Sequence, residues 1–123
     1  MKSVLLVDDS KFMRTILRKL INGKDYFVLS EASNGFEAVE QYVYYRPDIV
    51  IMDITMPNMN GLEALKSIIE KDPQAKVVMC SALGQQYLIN ESLKLGAKGF
   101  IIKPYFDNIL YTLQKIVSVC SIP

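Results

Sequence analysis

Five short, mostly apolar runs alternate with five stretches of helical spacing, and this alternation constrains the fold more than anything else in the chain. The runs are "SVLLV" (3–7), "YFVLSEA" (26–32), "DIVIMD" (48–53), "AKVVMCS" (75–81) and "GFIIK" (99–103). Consecutive Val, Ile and Leu suit strands buried on both faces, and such strands belong to parallel sheets covered by helices. Between the runs the period changes. "SKFMRTILRKLI" (10–21) sets Phe12, Met13, Ile16, Leu17, Leu20 and Ile21 on one face, with Lys11, Arg14, Arg18 and Lys19 opposite and Ser10 able to cap its start. "NGFEAVEQYVYYRP" places Ala38, Val39, Tyr42 and Val43 inward and stops near Pro47. "GLEALKSIIEKDP" does the same with Leu62, Leu65, Ile68 and Ile69. "QQYLINESLKLGAK" is a weaker helix that Gly96 is placed to end. A last helix after Pro104, capped by Asp107, turns Ile109, Leu110, Leu113, Ile116 and Val117 inward.

Five strand–helix units are too few for a closed eight-stranded barrel. They predict an α/β fold: an open, doubly wound, five-stranded parallel sheet in the order 2-1-3-4-5, the flavodoxin-like (βα)5 arrangement. The 123 residues contain no linker, repeat or low-complexity tract, so one domain over 1–123 is expected.

Composition removes several classes of function. A net charge of +1 gives no broad footprint for nucleic acid, and direct DNA binding is not expected. No apolar run approaches the roughly 20 residues of a membrane helix. "MKSVLLVDDS" is no secretory leader, and Cys80 and Cys120 lack metal-ligand spacing, so both read as reduced thiols of a cytoplasmic protein. With no histidine there is no Ser-His-Asp triad and no imidazole metal site. Any phosphohistidine must belong to another molecule. A metal would be held by oxygen ligands, which suits magnesium or calcium.

In a sheet of this order the ligand crevice lies outside the carboxyl ends of the strands, where strand order reverses between the first and third. The first strand ends in Asp8-Asp9, the third in Asp53, the fourth in Ser81 and the fifth in Lys103. Neighbouring strands lie about 4.8 Å apart, so the acids should converge. Two carboxylates about 4 Å apart repel by roughly 4 kcal/mol at an effective dielectric of 20. A raised pKa or a neutralising cation must balance that. Lys103 supplies one charge, and a divalent ion such as Mg2+ would supply two. A carboxylate beside a cation and a lysine can attack phosphorus. Asp53 stands alone at its strand end, before a loop shaped by Pro57 and Gly61, and is the best nucleophile. Asp8 and Asp9 are then the metal-binding pair.

The motifs "VDD" (7–9), "DIVIMDITMPNMNGLEAL" (48–65), "CSA" (80–82) and "IKP" (102–104) give the chain a specific resemblance to response-regulator receiver domains, over nearly everything from Ser3 to Val119. The resemblance implies that Asp53 is the phosphorylated aspartate and that Asp8, Asp9 and the backbone carbonyl of Thr55 hold Mg2+, with Mn2+ as a substitute. It implies that Ser81 and Lys103 contact the phosphoryl group and that the Lys103–Pro104 bond is cis. It makes Phe100 the switch aromatic that follows Ser81 inward, changing the surface of the fourth helix, fifth strand and fifth helix. Thr55 and Leu83 occupy the positions that influence the hydrolytic water. Neither offers a carboxylate or amide, so slow self-dephosphorylation and an outside phosphatase are expected.

"DDSKFMR" and "CSALGQQ" look most like stand-alone chemotaxis response regulators of the CheY type. That implies a chemotaxis histidine kinase as donor, a flagellar switch protein as output, and no catalysis beyond the domain's own phosphorylation and dephosphorylation. The competing readings are a receiver from a longer regulator and a phosphorelay protein. A phosphohydrolase of the haloacid dehalogenase type would need an acid where Thr55 stands. An FMN binder would need a phosphate loop where Asp8 and Asp9 stand. Tyr87, Tyr105 and Tyr111 are candidate docking residues.

Overall fold

The computed structural model describes residues 1–23 and 25–120, with side chains described as far as 117. The elements run β1 (Lys2–Val7), α1 (Lys11–Ile21), β2 (Tyr26–Ala32), α2 (Gly35–Tyr45), β3 (Ile49–Asp53), α3 (Gly61–Lys71), β4 (Val77–Ser81), α4 (Gln86–Lys94), β5 (Gly99–Ile102) and α5 (Ile109–Cys120). The strands form one sheet in the order β2-β1-β3-β4-β5, with every neighbouring pair parallel. This is the flavodoxin-like arrangement expected from the pattern.

Side-chain alternation along the strands divides the core in two. Leu5, Val7, Val50, Met52, Val77 and Met79 face α2, α3 and α4, packing on Ala38, Tyr42, Leu65, Ile68 and Leu88. Val4, Leu6, Ile49, Ile51, Val78 and Ile101 face α1 and α5, packing on Leu17, Ile21, Leu113 and Ile116. β3 and β4 are buried along their whole length, which is why their sequences show no polar alternation. Side chains cap three helices: Ser10 accepts from the Met13 N–H, Asn34 from Glu37 and Asn60 from Glu63. Gly96, at φ +110°, takes the left-handed turn after α4.

Five expectations fail locally. Phe12 is 74% exposed, and Leu20, Val43 and Leu110 are also exposed. The apolar stripe of α1 is narrower than the spacing suggested, because Arg14 takes part of the inward face and pairs with Glu31 of β2 at 2.8 Å. In α5, Ile109, Leu113 and Ile116 suffice to reach the sheet, which leaves Leu110 to solvent. Asp107 does not cap α5, which begins two residues further on, at Ile109. Cys80 is a buried free thiol, whereas the side chain of Cys120 lies outside the described part. Among the described residues no helix is long and apolar enough to cross a membrane.

Candidate functional site

The carboxyl ends of β1, β3 and β4 deliver Asp8, Asp53 and Ser81, all buried, to one edge of the sheet, with Asp9 exposed beside them. One carboxylate oxygen from each of Asp8, Asp9 and Asp53 lies within 4.8 Å of the others. Lys103, just past β5, reaches across to this cluster. Its Nζ lies 2.6 Å from Asp8 Oδ2 and 3.3 Å from Asp53 Oδ1.

Asp8 is held at every polar group. Its N–H donates to the Ala32 carbonyl, its Oδ1 accepts from the Ser10 N–H at 2.9 Å, its Oδ2 accepts from Lys103, and its carbonyl accepts from the Arg14 guanidinium. Arg14 is fixed in turn by Glu31, which also takes Arg18 through its other oxygen at 2.6 Å. Helical spacing alone puts both arginines opposite the apolar face and does not show this brace. A lone Glu inside an apolar strand, with two arginines four residues apart on the preceding helix, was the available signal.

Burial pushes the Asp53 carboxyl up to about 6; Lys103 pulls against that, and Asp8 and Asp9 add to it. For Lys103 burial acts downward, but the Asp8 hydrogen bond and the charges of Asp53 and Asp8 win and raise it, so the ammonium persists. Burial pushes the neighbouring Cys80 thiol up to about 12, which makes it an inert core residue.

The loop after β3 is shaped by close backbone contact. The Gly61 N–H donates to the Ile54 carbonyl at 2.7 Å, and a Cβ on Gly61 would stand 2.0 Å from the Asp53 carbonyl oxygen. Asn58 adopts a left-handed φ of 69°. Thr55 and Pro57 lie exposed in this loop. Across the edge, Ser81 Oγ accepts from the Leu83 N–H at 3.0 Å, and Leu83 is exposed. The Lys103–Pro104 bond is cis. Phe100 is half-buried against the α2–α4 side of the core and borders a cavity of about 330 Å³ that also contacts Lys98, Tyr111 and Lys115. The structure thus gathers Asp8, Asp9, Asp53 and Lys103 at one point and sets Ser81 at the end of the strand next to Asp53.

The donor set fits a magnesium-type ion: three carboxylates, no sulfur or imidazole, on an open crevice where waters can complete the coordination.

A family model described as the response regulator receiver domain matches residues 4–114. The chain belongs to that family. This receiver domain is 52% identical over 116 residues to the chemotaxis protein CheY of Listeria monocytogenes, covering 94% of this chain and 98% of the relative. It is 55% identical over 116 residues to the CheY of Thermotoga maritima, covering 94% and 97%. Among solved structures, it resembles the response regulator domain of Thermotoga maritima CheB at a TM-score of 0.88 and 38% identity, covering 100% of this chain and 98% of the other. It also resembles a CheX-CheY-BeF3-Mg2+ complex from Borrelia burgdorferi at 0.85 and 42%, covering 96% and 88%. The receiver domain is of the CheY type, a signalling component of two-component systems.

Proposed function

We propose that this receiver domain takes a phosphoryl group onto Asp53 from a histidine kinase and carries the signal by changing its α4–β5–α5 surface. The convergence of Asp8, Asp9, Asp53 and Lys103 on one sheet edge carries the reading.

An Asp53 carboxylate oxygen attacks phosphorus in line with the bond to the donor. An O–P bond forms as the P–N bond of the kinase phosphohistidine breaks, and its electron pair leaves on the imidazole nitrogen. Asp8 and Asp9 with Asp53, joined by the Thr55 carbonyl, are the groups to hold Mg2+, and Mn2+ has the same taste for oxygen. When bound, the ion supplies positive charge that screens the acids from the incoming phosphoryl oxygens. Lys103 adds its ammonium on the same side. Ser81 Oγ accepts from the Leu83 N–H, so its own hydrogen is free to donate to a phosphoryl oxygen. Its inward movement opens space for Phe100, which is packed only halfway. Phosphorylation thereby shifts the population between two packings of one surface.

That surface is suited to docking. Tyr87, Tyr105 and Tyr111 are each about two-thirds exposed or more, beside exposed Leu83 and Leu110. Aromatic residues held in water at this density favour a protein partner over a solvated rim. The likeness to CheY proteins along nearly their whole length supports a chemotaxis kinase as donor and the flagellar switch as output. The relative solved with CheX, BeF3 and Mg2+ supports both metal at this site and docking of other proteins to this kind of chain.

Incubation with acetyl phosphate and Mg2+, followed by mass measurement, is expected to show one phosphoryl adduct that Asp53→Asn abolishes. An adduct surviving in Asp53→Asn would mean another residue is the acceptor. Thr55 and Leu83, both exposed, give the hydrolytic water no orienting acid or amide. The adduct should therefore outlast minutes without a phosphatase, and its loss within seconds would refute that reading.

A further inference from the structure

The geometry points to Arg14 as the residue that positions the acidic pair for metal, an inference that rests on the proposed Mg2+ role of Asp8 and Asp9. Arg14 pairs with Glu31 and with the Asp8 backbone, not with the carboxylates of Asp8, Asp9 or Asp53. Its Nη1 donates to the backbone carbonyl of Asp8 at 2.5 Å. That carbonyl is one end of the peptide plane whose other end is the nitrogen of Asp9. Pinning the oxygen fixes the plane, and the plane sets the direction in which Asp9 leaves the backbone.

Asp9 needs such help. Asp8 is locked by Ser10 and Lys103, whereas Asp9 is exposed. The brace is itself rigid: the Arg14 side chain is only 15% exposed, and its Nε is held by Glu31 Oε1 at 2.8 Å. A planar guanidinium caught at two edges can move neither along nor across the loop. Glu31 belongs to β2, so the aim of Asp9 is referenced to the sheet rather than to the loop. Outer partners of this kind commonly change metal affinity by about 10–100-fold.

Charge and positioning predict opposite signs. Arg14 is a cation near a cation site, so deleting it through charge alone would tighten Mg2+ binding. Deleting it as a brace would loosen binding. Arg18 is an internal control: it shares Glu31 with Arg14, at 2.6 Å, but its hydrogen bonds go to Glu31 and not to Asp8.

The test is calorimetric titration of Mg2+ into the whole protein and its Arg14→Met, Arg14→Lys and Arg18→Met variants, each first checked for folding. Arg14→Met is expected to bind about tenfold more weakly. Arg14→Lys, which keeps the charge but loses the fork, should fall about threefold short of wild type. Arg18→Met should bind as wild type does. In acetyl phosphate kinetics at saturating Mg2+, the Arg14 variants should recover most of their rate, because the defect lies in affinity. Unchanged or tighter Mg2+ binding by Arg14→Met overturns the inference, as does equal weakening in Arg18→Met. If Arg14→Met does not fold, Arg14→Lys decides, and wild-type affinity there counts against the brace. Absence of Mg2+ binding by the wild type would instead sink the acidic site as a metal site, a separate result.

Discussion

Asp53 is an acid folded into a place that resists its charge, and the sign of that resistance is measurable. Burial holds its carboxyl near 6 in the folded chain against an ordinary 3.8. Between those values the native state binds the extra proton, so its contribution to stability is full below about 4 and is lost as pH rises through about 6. Asp53→Asn removes the penalty. In chelator at about pH 7 the variant should gain about 1–2 kcal/mol in urea denaturation, a figure reduced because the crevice opens to water. A less stable Asn variant under those conditions would show that Lys103 already compensates the charge in full. Gly61 fails for a different reason. A methyl group there meets the Asp53 carbonyl oxygen at 2.0 Å and the Ile54 Cα at 2.8 Å, both backbone atoms that cannot rotate away. Gly61→Ala should cost about 2–4 kcal/mol and weaken Mg2+ binding together, since β3 must shift where it presents Asp53. Wild-type stability in that variant would mean the loop relaxes freely.

At the scale of elements, α1 and β2 show what a sequence can and cannot say. The strands were legible because β3 and β4 are buried on both faces, and no amphipathic helix places Ile49–Met52 or Val77–Cys80 wholly inside. The edge where Asp8, Asp53, Ser81 and Lys103 meet followed from strand order alone, since each ends or just follows a strand. Arg14 was not legible, because periodicity sorts residues by polarity and an arginine paired to a strand glutamate counts as inside. Phe12 was misplaced for the mirror reason: it is hydrophobic at a plausible spacing, yet it stays largely in water. The Glu31 brace carries its own pH signature. Burial alone would raise its carboxyl, but hydrogen bonds from Arg18 and Arg14 outweigh that and hold it below the ordinary 4.5. The stability it lends is present at neutral pH and disappears as pH falls through the depressed value. Glu31→Gln should therefore lower stability near neutrality and flatten its fall into acid, measured as urea midpoints across pH. Equal acid sensitivity in both proteins would show that Glu31 contributes nothing to that fall. α2 and α3 are tied similarly: the Tyr42 hydroxyl donates to Asp72 at 2.7 Å, and Tyr42→Phe should cost about 1–2 kcal/mol by thermal or urea denaturation.

For the whole molecule, metal and fold should be coupled only weakly. The two core layers are built from apolar contacts that do not involve the acidic edge, and among the described residues no buried side-chain N or O lacks a partner. Chelation should leave the circular dichroism spectrum unchanged. Mg2+ at about 100 times its Kd should then add about 2.7 kcal/mol of stability. Collapse in chelator would show that the acids need the ion in order to fold at all. The lysine is the reason to expect folding without it. Lys103 sits between Asp8 and Asp53 as a counter-ion that travels with the chain. With that counter-ion in place, a newly made molecule should finish folding before it meets any ion, and one stripped of its ion should have nothing to rebuild. On the proposed Mg2+ role the ion is a visitor rather than a scaffold, and the protein would gain or lose readiness to signal with the ion supply while remaining the same folded object.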